Sequence, residues 1–169
     1  MAICFVPLRA YICCMTILMV CLGNICRSPL AEGILREKCK KAGLHWKVES
    51  AGTNGLHTGE PPHPLSQKVA KSKGIDISGQ QSRHFAKQDF QHFDKIYVMA
   101  DDVREEMKLI GKDQYNPAKV ELLLNECYPG QNRNIPDPWY GPEAGYEAVY
   151  DMMELACEAI IKNHAFAIN

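Results

Sequence analysis

The chain has 169 residues, the size of one ordinary domain, and its 46% apolar and 23% charged residues are the balance of a globular protein able to bury a core. A formal net charge of −1 excludes a global electrostatic grip on nucleic acid or an anionic membrane, so any anion is held locally. The eight cysteines, at positions 4, 13, 14, 21, 26, 39, 127 and 157, leave the middle of the chain bare, which is not a disulfide framework, and Cys21 with Cys26 lacks the second ligand pair that structural zinc requires.

Met1 to Val20 is apolar but is interrupted by Arg9 and has no basic segment before it, unlike a signal peptide. Its last residues, Thr16 to Val20, lead directly into the main motif, so cleavage there would cut the candidate site. Met15 reads as the start of the folded chain. Residues 1–14 read as an extension adding little to the fold, with a membrane anchor as the alternative. Ile17 to Val20 is a short unbroken apolar run, the pattern of a buried parallel strand. Ser28 to Lys41 then places Leu30, Ala31, Ile34, Leu35 and Cys39 at helical spacing before a stop at Gly43. Trp46 to Ser50 reads as a second strand closed by Ala51-Gly52.

A loop rich in Gly and Pro follows, then a helix through Leu65, Val69 and Ala70 ending near Gly74. Lys95 to Ala100 is the third expected strand, and Asp101-Asp102 opens a helix that ends before Gly111. Val120 to Leu124 is the fourth expected strand. The last helix, about Glu143 to Lys162, has a broad apolar face. Alternating strands and helices predict an α/β sandwich with a mainly parallel sheet, and in such folds ligands sit beyond the carboxyl ends of the strands.

The loop after the first strand reads Cys21-Leu22-Gly23-Asn24-Ile25-Cys26-Arg27-Ser28-Pro29. Gly23 and Asn24 suit unusual backbone angles, and Pro29 suits a first helical turn. A short loop feeding a helix N-terminus turns successive N–H groups inward, a cradle for a tetrahedral anion. A thiol in that positive field loses its proton more readily, which makes Cys21 the expected nucleophile. Arg27 offers a planar fork of donors for two phosphate oxygens, and the Ser28 hydroxyl can donate to the thiolate. Cys127 and Arg133 share the spacing, but Pro129 and Pro136 prevent a helix from starting there.

Cleaving a phosphate ester requires a proton for the leaving oxygen, because a tyrosine phenolate has a pKa of about 10. Asp137, in Ile135-Pro136-Asp137-Pro138-Trp139-Tyr140-Gly141, is the candidate acid: the prolines stiffen the segment and the aromatics can wall a slot for a flat ring. The same residues also suit a simple surface turn before the last helix.

Together the two motifs resemble those of the low-molecular-weight protein tyrosine phosphatases, over about residues 15–165 as a single domain. The resemblance implies a three-layer, flavodoxin-like sandwich around a four-stranded parallel sheet of order 2-1-3-4. It implies a phosphocysteine on Cys21, a proton from Asp137 to the phenolate followed by activation of water, and neither metal nor other cofactor. Leu22 to Ser28 would form the phosphate loop, with Asn24 holding its shape and Ser50 hydrogen bonded to Asn24. Cys26 would form a reversible disulfide with oxidised Cys21. Leu22, Ile25, Leu56, Trp139 and Tyr140 would line the substrate pocket. Phosphotyrosine proteins or peptides would be the partners, and phosphate or vanadate the inhibitors. The protein would be cytoplasmic, a monomer or weak dimer, independent of nucleic acid and membrane. Two positions depart from the pattern: Gln80 stands where many members carry His, and Leu56 where an aromatic wall is common.

Three rival readings remain. Arsenate reduction on the same loop needs further redox-active cysteines, and none lies between Cys39 and Cys127. Phosphoarginine hydrolysis favours a small or hydroxyl side chain at position 25, where Ile25 offers an apolar surface. A module that captures phosphotyrosine without hydrolysing it would not need nucleophile, clamp and acid together.

Overall fold

A computed structural model describes residues 14–165. Apart from Cys14, the residues assigned to the upstream extension lie outside this range. Strand β1 (Thr16–Cys21) is followed by α1 (Arg27–Lys41), β2 (Lys47–Gly52), α2 (Pro64–Ser72), a one-turn α3 (Asp89–His92), β3 (Lys95–Val98), α4 (Asp101–Gly111), β4 (Val120–Leu122) and α5 (Glu143–His164). The sheet is parallel throughout, in the order β2-β1-β3-β4, as expected for a flavodoxin-like sandwich.

Each of these elements has a local cause. In β1 every residue from Ile17 to Val20 is fully buried, because the strand is central and both faces are covered. Its pleat sends Ile17, Met19 and Cys21 into one apolar cluster and Leu18 and Val20 into the other. The first cluster gathers α1, α2 and α5; the second gathers Phe85, Phe90 and Phe93 with Val103 and Met107 of α4. Helix α2 starts on Pro64 after His63, whose ring accepts a hydrogen bond from Leu65 N, the arrangement of a capped N-terminus.

The differences from the expected elements lie at boundaries. Strand β2 runs on through Gly52 because β1 offers it partners as far as Cys21. The fourth strand stops at Leu122 and becomes a 3-10 turn, Leu123–Glu126. Helix α3 has four residues, too few to show a period. Since β2 and β3 lie on opposite sides of β1, strand order reverses at the carboxyl end of β1, where the Cys21 loop emerges. No described helix is long and apolar enough to cross a membrane.

Candidate active site

The loop from Leu22 to Cys26 is held from outside through its carbonyls. The Cys21 carbonyl accepts from Thr53 N at 3.0 Å, Leu22 from Asn54 N at 2.9 Å, and Ile25 from His63 N at 2.7 Å. Ser82 Oγ donates to Gly23 O at 3.1 Å, and Ser66 Oγ to Cys26 O at 3.4 Å. In a trans peptide the N–H points opposite to its C=O, so five outward carbonyls turn the intervening N–H groups inward. The reversal needs a left-handed residue, supplied by Asn24 at φ 55°.

Cys21 is buried at the bottom of this ring. Its sulfur accepts from Asn24 N at 3.2 Å and lies 2.9 Å from Ser28 Oγ. Behind the loop, Asn24 Nδ2 donates to Ser28 Oγ and Ser50 Oγ, both at 2.9 Å, while Asn24 Oδ1 accepts from Arg83 N at 2.9 Å. Ser50 in turn donates to the buried carboxylate of Glu32 at 2.5 Å, and Arg36 pairs with the other Glu32 oxygen at 2.8 Å. Burial pushes the Glu32 carboxyl up, against the opposing pull of Ser50 and Arg36. Gln80 donates to Pro29 O at 3.2 Å and leaves its own carbonyl oxygen buried without a hydrogen bond. Gln80 therefore steadies the start of α1.

Arg27 opens α1 and reaches across to the segment before α5. Its guanidinium donates to Ile135 O at 3.2 Å and to Asp137 Oδ2 at 2.6 Å, with Asp137 Oδ1 accepting from Trp139 N. Ile135 N is itself anchored on Met99 O beyond β3. The arginine is buried while Asp137 is half-exposed, so the expected clamp and the expected acid meet at the edge of a cavity of about 350 Å³. Cys21, Leu22, Ile25, Cys26, Leu56, Trp139 and Tyr140 line the same cavity. Leu56 and Tyr140, 81% and 98% exposed, form only its outer lip.

Cys26 lines the cavity beside Cys21, and burial pushes its thiol up to about 11 although the Tyr146 hydroxyl, 3.6 Å away, opposes this. A larger cleft of about 650 Å³ is lined in part by Glu32 and Ser50, has no cysteine in its lining, and is bordered by the ion pairs Glu32–Arg36 and Glu49–Arg83. Among the described residues no three His, Cys, Asp or Glu side chains are placed to share a metal ion.

Sequence reasoning did not find three residues of this region. His57 packs its ring beside Gly23 and against Trp139, with ring centroids 5.4 Å apart, and pairs with Glu60 at 2.9 Å. Asn54 lines the cavity, and Arg83 fixes Asn24 through its backbone. All three come from loops without periodicity, and only the fold brings them to Cys21.

The profile of the low molecular weight phosphotyrosine protein phosphatases matches residues 16–165. A putative low molecular weight protein-tyrosine-phosphatase of Synechocystis is 39% identical over 146 residues, 85% of this chain and 92% of that protein. The human low molecular weight phosphotyrosine protein phosphatase is 35% identical over 150 residues, 87% of this chain and 94% of its own. The crystal structure of YfkJ from Bacillus subtilis superposes with a TM-score of 0.81 at 33% identity, covering 88% of this chain and 93% of that one.

Proposed function

The chain belongs to the low molecular weight phosphotyrosine protein phosphatase family, and from that membership we propose that it hydrolyses phosphotyrosine and small aryl phosphates through a phosphocysteine on Cys21. The observation that carries this reading is the convergence of Cys21, Arg27 and Asp137 on one cavity whose floor is a ring of inward N–H groups. The Cys21 thiolate attacks phosphorus as the phenolate leaves, and Asp137 gives that oxygen its proton. The ring of amides and the Arg27 fork hold the three phosphoryl oxygens as charge shifts onto them. Water, deprotonated by Asp137, then attacks phosphorus and expels the sulfur, which Ser28 receives with a hydrogen bond 2.9 Å long. Apart from substrate and water, every group in both steps is a side chain or backbone amide of this chain, so no metal is required.

Ile25 and Trp139 give the slot apolar walls suited to a flat ring, which favours tyrosine over a guanidinium leaving group. Among the described residues, Cys26 is the one other cysteine lining the cavity, which supports its role as redox partner: a Cys21 sulfenic acid condenses with the Cys26 thiol, forming the disulfide and releasing water. The reading extends to a cytoplasmic monomer or weak dimer acting on phosphotyrosine proteins or peptides, inhibited by phosphate and vanadate, with neither nucleic acid nor membrane as partner.

Hydrolysis of an aryl phosphate in the presence of a chelator tests the assignment. Wild type retains full turnover and Cys21→Ser has none. Asp137→Ala turns over about a hundredfold more slowly, yet binds inorganic phosphate more tightly because Arg27 loses its internal carboxylate. Turnover surviving in Cys21→Ser overturns the reading.

A further inference from the structure

The hydrogen bonds behind the loop form a chain in which each proton has a defined direction. Asn24 Nδ2 is donor only, so Ser28 and Ser50 both accept from it. The carboxylate of Glu32, bearing Ser50 on one oxygen and Arg36 on the other, is acceptor only, so the single Ser50 proton goes to Glu32. Ser28 accepts from Asn24 and has one proton of its own to give, which goes to the nearer acceptor, Cys21 Sγ at 2.9 Å, rather than to Ala51 O at 3.4 Å. The Asn24 amide is locked at both ends: Arg83 N–H claims its oxygen, and Glu32, through Ser50, claims its nitrogen.

We propose that Glu32 is a positioning residue for the phosphatase reaction, whose buried carboxylate takes the Ser50 proton and thereby sets the direction of hydrogen bonding that ends on the Cys21 sulfur. The proposal rests on the phosphatase reading above and extends it by three hydrogen bonds, to a residue on the second turn of α1 that does not line the substrate cavity. Without an acceptor at position 32, the Ser50 hydroxyl turns to compete with Asn24 Nδ2, the amide loses one of its two locks, and Ser28 spends part of its time turned away from sulfur. The oxyanion ring is untouched, because its carbonyl anchors run to Thr53, Asn54, His63, Ser66 and Ser82.

Glu32→Met removes the acceptor while keeping length and helix preference, and Glu32→Gln restores an acceptor without charge. Expected for Glu32→Met is a fall of about tenfold in kcat on an aryl phosphate, the scale of one weakened hydrogen bond to a charged atom. Competitive inhibition by inorganic phosphate stays within about twofold, since binding uses amides and Arg27. Glu32→Gln recovers most of the loss. In a Ser50→Ala background Glu32→Met costs nothing further, because the chain is already cut. Wild-type kcat in Glu32→Met, an equal loss in the Ser50→Ala background, or phosphate inhibition that weakens in parallel with kcat overturns the proposal. Should Glu32→Met not fold, Ser50→Ala breaks the same chain and carries the same expectation for kcat and phosphate, so wild-type kcat in that variant overturns the proposal equally. A wild-type chain inactive on aryl phosphates would instead refute the phosphatase reading itself.

Discussion

Gly52 shows how closely the substrate loop is pressed against its frame. A Cβ at Gly52 would stand 2.7 Å from Leu22 O and 2.9 Å from both Asn24 N and Gly23 C, all backbone atoms that cannot rotate away. Gly52→Ala must therefore displace the ring of amides. Its kcat/KM on an aryl phosphate is expected to drop by about a hundredfold, with phosphate inhibition weakened alongside; unaltered kinetics would show that the ring yields without consequence. At this scale the sequence was legible wherever function is local: Cys21, Arg27 and Ser28 fall within eight consecutive residues at the junction of a strand and a helix. It was silent about Gly52, whose role arises from the parallel register that sets it opposite Cys21. Arg83 was equally hidden, because it contributes a backbone N–H that any residue other than proline supplies.

Among the elements, α5 is tied to the end of the sheet by one carboxylate. Glu126 accepts from Tyr97 Oη at 2.6 Å and from Asn163 Nδ2 at 2.9 Å, and it lies 3.0 Å from His164 Nε2. Burial pushes its pKa up, but these partners outweigh burial and hold it below the ordinary carboxylate range. A folded-state value lower than the unfolded one, about 4.3, gives stability that is present above that pH and is lost as pH falls through the folded value. Glu126→Gln is expected to cost ~1–2 kcal/mol of unfolding free energy at neutral pH, with the difference from wild type shrinking below about pH 4. Denaturant titrations at the two pH values measure it, and an equal cost at both would contradict the ionic origin of the clasp. The long helices and buried strands were predictable because their periods repeat over many residues. The 3-10 turn that carries Glu126 is less legible: its first two residues, Leu123 and Leu124, continue the apolar run of the strand, and they pack in one cluster with α5.

For the molecule as a whole, both faces of the sheet are covered by helices and loops between residues 15 and 165, and Met15 O already pairs with Lys47 N. We therefore expect a chain trimmed of residues 1–14 to melt within about 2 °C of the full chain and to keep its kcat. A large loss in calorimetry or turnover would make those residues part of the folded unit. The same view separates two layers of the site. Its floor, comprising Cys21, Asn24, Arg27 and Ser28, is buried and bonded into the core, whereas Leu56 and Tyr140 at the lip are almost wholly solvent-exposed. The loops bearing them approach each other through the contact of His57 with Trp139. Lip residues can thus be exchanged at little thermodynamic cost while the floor tolerates almost nothing, so this scaffold can acquire new clients by drift at its rim and keep one unchanging chemistry beneath.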